Sequence, residues 1–147
     1  MKKLIFIAVA VLMLSSCVRD NFITNYVEPL VETIPVTVLR HQWQQGNNET
    51  HGVHYFFDVP NNIINGRLTN EVFRYGIMQA FALNRDGLGR KSPLPFSDFF
   101  VENGVRWEEH ITVEFAPQRI IFILKNDDQV FEQPFFDEYR FVVRFLW

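Results

Sequence analysis

Four histidines, seventeen carboxylates and one cysteine carry most of the reactive chemistry that 147 residues offer here. Imidazole ligates metals and exchanges protons near neutral pH. His51 and His54 lie three apart around Gly52, while His41 and His110 stand alone. On a strand, that spacing sends the two rings to opposite faces; on a turn they can converge. No zinc-type spacing with a carboxylate is present, and H-E-x-x-H is absent. The histidines therefore read as turn residues. The alternative is a metal-binding protein or hydrolase using His51, His54 and nearby carboxylates.

Glu108 and Glu109 are adjacent, so on a strand they face opposite sides and cannot share a proton. Asp127-Asp128 reads as a turn, and Asn126-Asp127-Asp128 supplies only a fragment of a calcium loop. Asp58 and Asp98 stand beside aromatics, with nothing in the sequence to pair them. After residue 17 the only serines are Ser92 and Ser97, neither in a G-x-S-x-G elbow. Gly87-Leu88-Gly89-Arg90 lacks the helix and the Lys-Ser/Thr ending of a phosphate loop. The expectation is no catalytic set, no metal site and no cofactor.

Cys17 is different. Met1-Lys2-Lys3 precedes an apolar run from Leu4 to Leu14, too short for the roughly 20 residues of a spanning helix. A basic start, a short apolar run and small residues after it read as a secretory signal peptide. Leu14-Ser15-Ser16-Cys17 resembles the lipobox of bacterial lipoproteins at all four positions. That resemblance implies cleavage before Cys17, a diacylglycerol thioether on its sulfur, and usually acylation of the new amine. Two or three acyl chains hold a protein stably on a membrane; one does so only marginally. The expected organisation is a signal peptide over 1–16, a lipidated cysteine and tether over 17–34, and one domain over 35–147. Acylation of the only cysteine leaves no thiol for disulfides, catalysis or metals. No later segment is apolar enough to span as a helix.

Aromatics are the remaining signal. Trp43, Trp107 and Trp147 suit a sandwich core better than a sugar-stacking platform. Phe56-Phe57, Phe99-Phe100 and Phe135-Phe136 are consecutive pairs, so each strand carrying one sends a ring to either face. Phe57, Phe100 and Phe136 are the candidate binding surface, since exposed rings gathered in a patch mark a partner.

The elements that must position these residues are mostly strands. Val36 and Val38 begin a strand that alternates towards Trp43, and Gln45–Thr50 is rich in turn formers. His54–Val59 is aromatic and β-branched, and Pro60 stops it. Between Asn61 and Tyr75 the apolar spacing is weakly helical, with Thr69 placed to cap a short helix and Gly76 to break it. Ile77–Leu83 and Leu94–Glu102 read as strands, and Asn103-Gly104 is a strong hairpin turn. Trp107, Ile111, Val113 and Phe115 then share one face, and Glu109 is the single exception on that apolar face. Ile120–Leu124 is apolar on both faces, as in a central strand. Tyr139, Phe141, Val143, Phe145 and Trp147 alternate at the end. These features predict an all-β domain, an immunoglobulin-like β-sandwich of about seven strands, with a β-barrel as the rival.

At 48% hydrophobic and 16% aromatic, the composition is globular. Losing Lys2 and Lys3 with the leader takes the formal charge from −3 to −5. With no basic stripe to displace counterions from phosphates, nucleic acid is not an expected partner.

Trp43, Tyr55-Phe56-Phe57-Asp58-Val59-Pro60, Leu94-Pro95-Phe96, Trp107 to Pro117 and the terminal Tyr139 to Trp147 occur in an order that resembles a group of small lipoproteins of Bacteroidota. The resemblance spans Pro35 to Trp147. It implies a β-sandwich and a lipid-anchored place in the cell envelope, at the outer membrane, but no activity and no site residues. The expectation is a non-enzymatic module that binds or scaffolds an envelope protein or glycan and touches the membrane through its anchor. A surface adhesion or structural subunit is a further alternative.

Overall fold

The computed structural model describes residues 30–85, 88–102, 104–126 and 134–147. The leader, the lipobox with Cys17, most of the tether, Asn103 of the hairpin turn and Asp127-Asp128 lie outside the described residues. The elements are β1 (Val31–Leu39), a 3-10 turn (Arg40–Gln42), β2 (Gln44–Asn48), β3 (Gly52–Asp58), α1 (Asn61–Ile64), α2 (Asn70–Tyr75) and β4 (Ile77–Leu83). They continue with β5 (Lys91–Pro93), β6 (Phe96–Glu102), β7 (Val105–Ala116), β8 (Arg119–Asn126) and β9 (Glu138–Leu146).

These strands form two sheets, ordered β1-β9-β4-β5 and β2-β3-β8-β7-β6, with every neighbouring pair antiparallel. They pack as a sandwich and do not close into a barrel. The cause is the period-two pattern. On β9, Tyr139, Phe141, Val143 and Phe145 face inward; on β8, Ile120, Phe122 and Leu124 do the same. Phe122 and Phe141 stack across the sheets at 4.1 Å, and Trp43 packs edge-on against Tyr139 at 5.4 Å. The apolar core between the sheets supplies the main driving force for folding.

Several boundaries differ from the sequence expectation. The first strand starts at Val31, because Ile34 continues the inward row of Val36 and Val38, so the fold begins before Pro35. Pro35 is tolerated because β1 is an edge strand. The 3-10 turn then ends β1 and carries the chain to the second sheet, so Trp43 enters the core from a connection. The turn-rich stretch after Gln44 forms β2, a polar edge strand held by its ladder to β3. With the three-residue β5, this accounts for nine strands among the described residues where about seven are expected.

The ambiguous stretch becomes two short helices. Thr69 caps α2, its Oγ1 accepting from the Val72 N–H at 3.2 Å, and the Gly76 N–H closes it onto the Val72 carbonyl. A Cβ at Gly76 would lie 2.6 Å from that carbonyl oxygen. Ile64, Leu68 and Val72 join the core. Trp147, expected inside, is 38% exposed and exchanges two backbone hydrogen bonds with Leu30. No helix among the described residues is long and apolar enough to cross a membrane.

Candidate functional site

Strand alternation places Trp107, Glu109 and Ile111 of β7 on the inward face. Their ladder partners on β6 are Phe100, Asp98 and Phe96 respectively, so two carboxylates stand directly across from each other on one face. Glu109 occupies a position that the pattern reserves for an apolar side chain, and only 1% of its side chain is exposed.

The opposite sheet supplies its partners. Tyr139 begins the inward row of β9, and its hydroxyl donates to Glu109 Oε1 at 2.8 Å. Arg85 lies two residues past β4 and brings Nη1 to 3.9 Å from Glu109 Oε2. Together these residues floor a cleft of about 780 Å³ whose walls include Phe96, Phe100, Trp107, Phe135 and Phe136. That volume lies within the usual range of small-ligand sites.

The aromatic wall is continuous. Phe100 stacks on Trp107 at 5.6 Å and meets Phe136 edge-on at 5.0 Å; Phe135 packs on Trp107 at 4.6 Å. The segment carrying Phe135 and Phe136 is clamped by Arg40. The Arg40 Nη2 donates to the Phe135 carbonyl at 2.5 Å and pairs with Asp137 at 2.8 Å, while the Arg40 N–H donates to the Asp137 carbonyl. The loop carrying Arg85 is pinned at its base, where the Asn84 N–H donates to the Arg90 carbonyl and Ser92 Oγ donates to Asn84 Oδ1.

Burial pushes the Glu109 carboxyl above the ordinary carboxylate range, and the Asp98 charge adds to the push; the Tyr139 hydroxyl and the Arg85 charge oppose it. Burial, then the charge of Glu109 and the hydrogen bond to it, raise the Tyr139 phenol, so this hydroxyl stays neutral and acts as a donor. Burial lowers Arg85, against the pull of the Tyr139, Glu109 and Asp98 charges. The arrangement therefore presents a recessed acid, a neutral donor and a cation within an aromatic enclosure. Such a set can bind and orient a polar group.

Of the three rings expected at a surface, Phe100 and Phe136 meet in this cleft. Phe57 does not: it is 7% exposed and belongs to the core, because β3 turns that face towards Trp43. Trp43 and Trp107 are buried, the second at the cleft wall.

The histidine pair converges, since His51 lies in the turn before β3; the rings stand 5.4 Å apart. His51 Nε2 donates to Glu114 at 2.8 Å and His54 Nδ1 to the Gly52 carbonyl. Gly46 makes room for that second ring, since a Cβ there would lie 2.8 Å from His54 Nε2. No group of three metal-ligating side chains occurs among the described residues.

Ser97, His110 and Glu108 form a hydroxyl–imidazole–carboxylate chain. It lies on the outer face of β6 and β7, across the sheet from the cleft, so the two cannot act on one ligand. Asp58 is held by Arg119 at 2.7 Å, away from the cleft.

The sequence reading missed Arg40, Arg85, Tyr139 and the pairing of Asp98 with Glu109. The one visible signal was Glu109 itself, an acid on an apolar strand face. Comparison of the chain with protein-family models, curated proteins and solved structures finds no match.

Proposed function

We propose that this chain is a lipid-anchored envelope module that binds, without turnover, a partner through the cleft around Glu109. The supporting observation is the Tyr139–Glu109 hydrogen bond at the floor of an aromatic-walled cleft. A buried carboxylate is costly to keep and stabilises the fold less than an apolar side chain of its size would. Its retention at an open cleft fits recognition of a ligand. The envelope part of the proposal rests on the sequence of residues 1–17, through the lipid on Cys17, and on the likeness to small Bacteroidota lipoproteins. The partner classes in view are an envelope protein and a glycan.

The test joins the two parts. Mature protein purified in detergent is applied to arrays of envelope peptides and of bacterial and host glycans. A bound member should lose at least about tenfold in affinity, about 1.4 kcal/mol, with Phe100→Ala or Glu109→Gln, and should be recovered unaltered. In cells, Cys17→Ser should release the protein from the membrane fraction. Affinity indifferent to both cleft substitutions, or chemical conversion of the bound member, would overturn the binding reading. Unchanged membrane partitioning of Cys17→Ser would overturn the anchor.

A further inference from the structure

We infer that the cleft is a cation cage for a basic side chain of a partner protein, and that Arg85 occupies it as the chain's own stand-in. This deepens the proposed binding function and rests on it. The Arg85 guanidinium carbon lies 3.2 Å from the Phe136 ring centroid, 4.6 Å from that of Tyr139 and 5.8 Å from that of Phe100. Three rings within about 6 Å of one cation is the arrangement that aromatic cages use for guanidinium and alkylammonium groups.

Charge points the same way. Glu109 and its ladder partner Asp98 face the same space. Among the described residues, the other acids lining the cleft have basic partners, Asp137 with Arg40 and Glu138 with Arg140. Arg90 also lines the cleft and has interactions of its own.

Arg85 sits on the rings but falls short of a full ion pair with Glu109. Its contact to Glu109 Oε2 is 3.9 Å, well beyond the roughly 2.7–2.9 Å of a charge-assisted hydrogen bond. Arg40, by contrast, meets the Asp137 carboxylate at 2.8 Å. Arg85 is also 35% exposed and sits beyond the end of β4. An incoming guanidinium can take the same ring faces and close on Glu109 Oε2 at bonding distance.

The probes are N-acetyl-L-arginine amide and its neutral analogue N-acetyl-norleucine amide, titrated calorimetrically into the full mature protein in detergent. Arg85→Met keeps an apolar stem against the rings and removes the charge. A tethered side chain competes at an effective concentration on the order of millimolar or more. The variant should therefore bind the arginine probe at least about tenfold more tightly than wild type. Adding Glu109→Gln should reverse that gain, and the norleucine probe should not bind. Equal arginine affinity in wild type and Arg85→Met, or equal binding of the two probes, would overturn the cage.

Should Arg85→Met not fold, the wild-type protein decides: Phe136 and Tyr139 ring resonances shift saturably with the arginine probe if the inference holds, and stay fixed if it fails. A glycan lost on Phe100→Ala, with no response to the arginine probe, would sink the cation assignment and leave the binding module standing. No array ligand and no probe response would remove both.

Discussion

Glu109 sets the chemistry of the molecule at the scale of single residues. Burial raises its pKa, so the folded state holds the proton more tightly than the unfolded chain. Where the unfolded carboxyl has ionised and the folded one has not, folding takes up a proton, and stability falls as pH rises through that window. The window opens near the ordinary glutamate value, about 4.3, and extends upward. Glu109→Gln keeps the side-chain volume and an acceptor for the Tyr139 hydroxyl while removing the charge. The variant should gain melting temperature relative to wild type as pH rises from about 4 towards 7; thermal unfolding across that range measures it. A difference that does not vary with pH would mean the charge carries no folding cost. Tyr139→Phe works the other way. It strips Glu109 Oε1 of its donor, so it should cost about 1–3 kcal/mol in denaturant unfolding and raise the carboxyl further. Stability equal to wild type would mean that the hydrogen bond contributes little.

At the scale of elements, legibility followed how local the cause was. The β7 and β9 alternations were readable because burial imposes period two on contiguous residues, and the same regularity exposed Glu109 as its one exception. Thr69 was readable because a cap acts on an amide three residues away. Thr69→Ala should cost about 1 kcal/mol, read from the denaturant midpoint, while Thr69→Ser should cost less. Equal stability of all three proteins would show that α2 is held by Leu68 and Val72 alone. What escaped had distant causes. β2 has the sequence Gln-Gln-Gly-Asn-Asn, with no apolar period, and becomes a strand only because β3 offers a ladder. Arg85 looks like a turn residue, and its partners come from β6, β7, β9 and the segment before β9. Phe57 was misplaced because its pair with Phe56 tells that the rings diverge and not which one faces in.

At the scale of the molecule, the sandwich has a plugged end and an open one. β4 leaves α2 at Ile77 and reaches the cleft at Ala82; β9 runs back from Tyr139 at the cleft to Leu146 beside Gly76. The strand residues from Ile77 to Phe81, about 3.3 Å each, thus separate the helices from the cleft. The floor of the cleft is an inter-sheet link, Tyr139 on one sheet and Glu109 on the other, so its geometry depends on both sheets keeping their register. β9 secures that register, since it pairs with β1 on one side and β4 on the other. Deleting Trp147 alone removes a half-exposed ring and two backbone bonds, and should lower the melting temperature by only a few degrees, roughly 1 kcal/mol in a domain of this size. Ending the chain at Val143 also removes Phe145, which is fully buried, and the pairs that Arg144, Phe145 and Leu146 make with both neighbours. A buried Phe lost outright costs about 3–5 kcal/mol, comparable to the whole stability of a marginal domain. That truncation should abolish cooperative unfolding in a thermal melt, and with it the cleft at the far end of the same strand. A soluble product that melts as wild type does would show that β9 does not hold the sheets in register.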